Sequence, residues 1–152
     1  MTDTTTATEL RLERTFDASA EAVFDAWTNP EVLRRWWAAG PDWETPRAEV
    51  DLREGGSYRL TMHDPESGMT PTVGGEFTEI RRPERLVYTW TWEDMPDSAS
   101  EDSVVTVDFE EHDGRTTVRL HHAGLGTDQS RASHEHGWNA CLDNLERRVL
   151  AA

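Results

Sequence analysis

The chain has 152 residues, a length that suits one domain with a core large enough to fold without disulfide or metal staples. Thirty acidic residues stand against fifteen basic ones, all of them Arg, for a net charge of −15 at pH 7. Such a surplus repels phosphate, and no local basic stripe offsets it, so nucleic acid and anionic membrane surfaces are excluded as expected partners.

Residues 1–8 are polar and Thr-rich and read as a disordered tail, leaving 9–152 for a single domain. Met1-Thr2-Asp3-Thr4-Thr5 has neither a basic start nor an apolar run. No stretch approaches the ~18 apolar residues of a membrane span. With one cysteine, Cys141, and therefore no internal disulfide, the expectation is a soluble, cytoplasmic protein.

From Glu9 to Phe16 the sequence alternates, with Leu10, Leu12, Arg14 and Phe16 in one phase, which predicts a first strand. Ser19 offers a helix N-cap before Ala20, Val23, Phe24 and Trp27 at helical spacing. Asn29-Pro30 ends that helix and starts another, carrying Val32, Leu33, Trp36 and Trp37 up to Gly40-Pro41.

Strands follow. Ala48, Val50 and Leu52 share a phase, then Glu54-Gly55-Gly56 turns the chain into Tyr58, Leu60 and Met62. Asp64-Pro65-Glu66-Ser67-Gly68 is a second turn before Val73, Gly75 and Phe77. After Arg82-Pro83-Glu84, Leu86, Tyr88, Trp90 and Trp92 form the strongest alternating run. Residues 93–102 read as an acidic loop with Glu93, Asp94, Asp97, Glu101 and Asp102, a solvated segment or an electrostatic element for a basic partner. Val105, Val107 and Phe109 pair through His112-Asp113-Gly114 with Val118, Leu120 and His122. Gly124 and Gly126 close the sheet region. From Asp128 to Leu150 the period becomes helical, with His134, Trp138, Cys141, Leu142, Leu145 and Val149 on one stripe.

The order is strand, two short helices, six strands and a long helix. Short turns predict an antiparallel meander, and the long amphipathic helix is the natural cover for its apolar face. The two short helices would plug one end. The expectation is an α+β fold with about seven strands.

Several segments carry a resemblance: RTFDASAEAVFDAWTNPEVLRRWW, DLREGGSYRL, GGEFTEIRRPERLVYTWTW and HEHGWNACLDNL. Their most specific pieces are Arg35-Trp36-Trp37, Asp51-Leu52-Arg53 with Gly55-Gly56, Pro83-Glu84-Arg85-Leu86, and Gly137-Trp138. In this order and spacing, from about Arg11 to Leu150, the chain resembles the family named for activators of the heat-shock protein 90 ATPase, within the SRPBCC (START-like) superfamily. Glu54 stands where relatives often carry Pro. The resemblance implies a helix-grip fold, a sheet wrapped round the C-terminal helix with a cavity between them. It also implies a chaperone as an alternative partner. The eukaryotic co-chaperones carry a further N-terminal domain that has no counterpart in this sequence, which ranks that reading second. START-like domains with exposed strand edges often pair, which leaves a homodimer open.

Strand alternation groups Tyr88, Trp90 and Trp92 on one face, and the helix stripe brings Trp138, His134 and Cys141 opposite. The expected ligand-binding residues are Trp36, Met62, Phe77, Tyr88, Trp90, Trp92, Leu120, His122, His134, Trp138 and Cys141. They would hold a small hydrophobic or aromatic molecule, with His122 or His134 as an orienting polar contact. Trp36 or Trp37 would lie near an entrance beside the two short helices. The competing reading is that these side chains fill the core.

A metal has little to bind. His121 and His122 face opposite sides of a strand, His134 and His136 do not share a helix face, and no Cys-x-x-Cys or His-Glu-x-x-His spacing is present. Cys141 at an apolar helix position reads as a small core residue, not a nucleophile. No cofactor is expected. A polyketide cyclase- or isomerase-like activity through His122, Tyr88 or His134 is the remaining alternative. The preferred expectation is a binding protein, not an enzyme.

Overall fold

The structure, a computed structural model, describes residues 9–38, 42–93, 103–125 and 128–150. Strand β1 (Leu10–Phe16) leads into helices α1 (Ala20–Thr28) and α2 (Pro30–Trp36). Six strands follow: β2 (Glu44–Val50), β3 (Ser57–His63), β4 (Thr72–Arg81), β5 (Arg85–Trp92), β6 (Ser103–His112) and β7 (Arg115–Ala123). Helix α3 (Asp128–Arg148) comes last.

Local chemistry sets the helix ends. The Ser19 hydroxyl accepts from Ala22 N–H at 3.2 Å and caps α1. Asn29 serves two helices: its own N–H donates to the Asp25 carbonyl at the end of α1, and its side chain accepts from Glu31 N–H at 3.0 Å at the start of α2. Pro30 takes the first helical position, where no N–H is needed. Each cap is worth about 1 kcal/mol.

The sheet is a seven-stranded antiparallel meander in the order β1-β7-β6-β5-β4-β3-β2. β1 lies beside β7, with Leu12 opposite Leu120, so α1 and α2 carry the chain from one edge to the other. Asp113 and Gly114 have positive φ (54° and 79°), which matches the right-handed strand twist and makes the β6–β7 turn tight. The curled sheet and α3 together form the α+β helix-grip arrangement. Leu86, Val105, Val107, Val118 and Leu120 on the sheet meet Trp138, Leu142 and Leu145 of α3 in one buried cluster. Burying each such side chain contributes about 1.5–3 kcal/mol.

One strand boundary differs from the alternation of the sequence. β2 begins at Glu44 and ends at Val50, and Leu52 is 38% exposed. The chain leaves the sheet there because Asp51 N–H pairs with the Ser57 carbonyl and the Arg53 and Gly56 N–H groups close successive turns. Gly40-Pro41, Gly126, residues 1–8 and the acidic segment beyond Glu93 lie outside the described residues. Glu93 itself pairs with Arg59 at 2.7 Å. Among the described residues no helix is long and apolar enough to cross a membrane.

Candidate functional site: a tryptophan-walled cavity

A cavity of about 530 Å³ opens between the first half of α3, the β3–β4 hairpin, the end of β5 and the connection from α2 to β2. Helix α3 supplies Gln129, Ser130, Ser133, His134, Gly137, Trp138 and Cys141. The sheet side supplies Met62, Met69, Pro71, Trp90 and Trp92, and the α2–β2 connection adds Trp37 and Trp43. None of these side chains is Asp, Glu or Arg. Gln129, Ser133 and Met69 are exposed and mark the mouth, whereas Met62, Trp90 and Trp138 are buried at the inner wall.

Behind the wall runs a fixed polar chain. Trp138 Nε1–H donates to His122 Nδ1 at 3.1 Å, which obliges the imidazole to carry its proton on Nε2. That Nε2–H donates to Ser103 Oγ at 3.0 Å, and the Ser103 hydroxyl donates in turn to the Trp90 carbonyl at 2.9 Å. A second imidazole sits edge-on, with the His122 and His134 ring centres 5.1 Å apart. His134 has the opposite tautomer. Its Nδ1–H donates to the Ser130 carbonyl at 2.8 Å, and its Nε2 accepts from Trp92 Nε1–H at 2.9 Å. Both rings are therefore held neutral. Burial, and then the neighbouring His134, push His122 well below the ordinary imidazole range; burial also lowers His134, partly offset by the Ser130 carbonyl.

Trp90 stands between these groups, with Trp138 at 5.2 Å, His122 at 5.2 Å and Trp92 at 5.5 Å between ring centres. Its Nε1 is the one buried side-chain nitrogen or oxygen without a hydrogen-bond partner among the described residues. Such an orphan costs about 1–3 kcal/mol.

The family model for activator of Hsp90 ATPase homolog 1-like proteins matches residues 17–149. The chain belongs to this family. An AHSA1 protein from Silicibacter pomeroyi is similar in structure, with 30% identity and a TM-score of 0.78 over 90% of this chain and 94% of that one. A structure from Chromobacterium violaceum, 23% identical, superposes with a TM-score of 0.84 over 95% and 99% of the two chains, a likeness of fold. An Hsp90 activator from Plasmodium falciparum is 26% identical, with a TM-score of 0.71 over 91% and 94%. A search of curated proteins gives no significant match.

In this member of the activator-like family, the residues expected at the site divide in two. Met62, Trp90, Trp92, His134, Trp138 and Cys141 meet at the cavity; Trp36, Phe77, Tyr88, Leu120 and His122 are not on its wall. Trp36 turns toward α1, where its indole N–H donates to the Ala26 carbonyl at 2.9 Å and its ring packs on Trp27. Phe77 and Tyr88 pack with Tyr58 further along the sheet, and the Tyr88 hydroxyl accepts from Trp27 Nε1–H at 3.2 Å. Burial raises both phenols, Tyr58 and Tyr88. Leu120 is core, and His122 lies one layer behind the wall. The mouth is formed by α3 and the β3–β4 hairpin, not by α1 and α2. Among the described residues, Trp37 at the C-cap of α2 alone links the short helices to the cavity.

Several lining residues escaped the sequence reading. Ser130, Ser133 and Gly137 continue the His134–Trp138–Cys141 stripe toward the N-terminus at i, i+3 and i+7, a signal hidden because they are small and polar. Trp43 and Met69 come from connections, where periodicity says nothing. No three His, Cys, Asp or Glu side chains among the described residues converge to hold a metal.

Proposed function

We propose that the chain binds a small, uncharged hydrophobic or aromatic molecule between its sheet and α3. The observation that carries this reading is the 530 Å³ cavity itself, with five tryptophans and, among the described residues, no Asp, Glu or Arg on its wall. Ligand sites are typically concave, mostly apolar and about 300–1,000 Å³ in volume. Gly137 supports it further: a Cβ there would meet nothing within 4 Å, so α3 keeps open space at a lining position where Ala would favour the helix.

Native mass spectrometry of gently purified protein, followed by displacement of the neutral dye Nile red, tests the reading. An extra mass over the denatured protein, or saturable dye uptake, supports it, and Gly137→Leu should abolish either by filling the space. A bare native mass together with failure of the parent protein to take up dye would reject it.

A second reading, an activator of a heat-shock protein 90-type ATPase, draws support from the family match over 17–149 and from the Plasmodium relative. Its test is the ATPase rate of such a chaperone with and without the protein at tens of micromolar. An acid–base reaction has less behind it, because His122 and Tyr88 lie off the wall and both His134 nitrogens are engaged.

A further inference from the structure

Two side chains of the cavity wall hold one another through a bond that a proton reverses. His134 on α3 and Trp92 on β5 both line the cavity, and both are half-buried. Trp92 Nε1–H donates to His134 Nε2 at 2.9 Å, while His134 Nδ1–H is committed to the Ser130 carbonyl at 2.8 Å. The ring lone pair that can take a proton is therefore the one Trp92 uses. Once it is taken, two N–H groups point at each other and the attraction becomes a repulsion. The surroundings offer the new charge no partner. From β7 the facing group is His122, with ring centres 5.1 Å apart; its Nδ1 is occupied by Trp138 N–H and its Nε2–H turns to Ser103. From β5 come Trp90 and Trp92, which do not titrate. On α3, Asp128 and Glu135 are held by Arg131 at 3.3 and 2.8 Å, and burial keeps the Cys141 thiol protonated. The described wall from the β3–β4 hairpin and the α2–β2 connection holds no titratable group, and no carboxylate lines it.

We infer that His134 and Trp92 form a proton-operated latch: protonation of His134 parts the two side chains, charges the wall and weakens the hold on an uncharged ligand. This rests on the small-molecule reading above and adds how the site lets go. A charged, water-drawing group in an otherwise apolar cavity disfavours an uncharged occupant. By reciprocity, an occupant that excludes water disfavours the proton. Burial holds the ring below the ordinary 6.5, so the latch is shut at neutral pH and works on acidification. His122 is no second latch, because it lies behind the wall and a charge on either ring opposes a charge on the other.

The test is the affinity for Nile red at pH 7.5 and at pH 5. Near-ultraviolet circular dichroism checks the fold at both, and ¹⁵N–¹H spectroscopy follows the Trp92 indole N–H. The parent protein should bind the dye at least about threefold more weakly at pH 5, within the limit of about tenfold per pH unit that one proton allows. The Trp92 resonance, held downfield at pH 7.5 by its bond to a ring nitrogen, should move upfield along the same curve. A molecule that comes trapped in the protein is followed likewise, by its loss from the native mass at pH 5. In His134→Gln, whatever its affinity at pH 7.5, the ratio between the two pH values should shrink to about one. Should that variant fail to fold, the assigned parent resonance decides alone. Equal dye affinities in the folded parent, an unmoved Trp92 resonance, or a decline retained in His134→Gln would overturn the latch and leave the small-molecule reading standing. No dye uptake at pH 7.5 together with a bare native mass would overturn both.

Discussion

The indole N–H of Trp138 on α3 donates to Nδ1 of His122 on β7 at 3.1 Å, and this bond ties helix to sheet through a fully buried imidazole. His122 in turn donates to Ser103, which keeps its own bond to the Trp90 carbonyl, so removing the imidazole leaves the buried Trp138 N–H without an acceptor. His122→Leu should destabilise the fold by about 2–4 kcal/mol, read from urea unfolding. The neighbouring His121 faces outward to Glu9 at 2.7 Å, and His121→Ala should cost no more than about 1 kcal/mol. Equal losses for the two variants would show that the buried chain is not what holds the layers.

The same network sets a pH dependence. His122 and His134 sit below the ordinary imidazole value in the folded state, whereas the unfolded chain titrates near 6.5. Below that pH the unfolded chain binds protons that the folded one refuses, so stability is complete above about 6.5 and declines as pH falls toward the folded values. The depressed carboxyls of Glu93, held by Arg59, and Asp64, held by the Ser67 hydroxyl, act in a lower window, below their ordinary values of 4.5 and 3.8. Urea midpoints should therefore drop between pH 7.5 and 5.5, and His134→Gln should flatten the slope. A level profile in the parent protein over that range would contradict the neutral pair.

Glycines separate packing from open space. At Gly75 in β4 a Cβ would collide with the Thr89 carbonyl on β5, a backbone group held in the sheet that cannot swing aside. Gly75→Ala should cost at least about 2 kcal/mol. Gly137 on α3 meets nothing, and Gly137→Ala should stabilise the helix by about 0.5–1 kcal/mol. Thermal melts of the two variants should move in opposite directions.

The fold was readable because the strands alternate cleanly: Leu86, Tyr88 and Trp90 are buried as their phase requires, and Ser19 and Asn29-Pro30 mark helix boundaries in the residues themselves. The site was half readable for a related reason. Alternation tells which face a residue takes but not how far along the sheet the helix stands away from it. Tyr88 and Trp90 share a face, yet Tyr88 is sealed by Tyr58 and Phe77 while Trp90 borders open space. What makes the space is absence of bulk at Ser130, Ser133 and Gly137, and a search for apolar side chains passes over small residues. The pairing of Trp138 with His122 joins positions in different elements, which no local pattern encodes.

Cys141 gives the last prediction. It lines the cavity, its thiol donates to the Ala38 carbonyl, and burial pushes it up to about 12. At pH 8 about one molecule in ten thousand would then carry the thiolate, against roughly a quarter for a free cysteine. Thiolate, not thiol, attacks disulfide reagents. Ellman's reagent at pH 8 should therefore leave the folded protein unmodified over hours and release one equivalent of thiol once urea unfolds it. Iodoacetamide, small enough for the cavity, separates access from acidity. It should also react slowly in the folded state, and raising the pH from 8 to 9 should speed it about tenfold, because a thiol still far below its titration point gains thiolate in proportion to hydroxide. A fast reaction at pH 8, or a rate that levels off by pH 9, would mean that the thiol is neither dry nor held by Ala38.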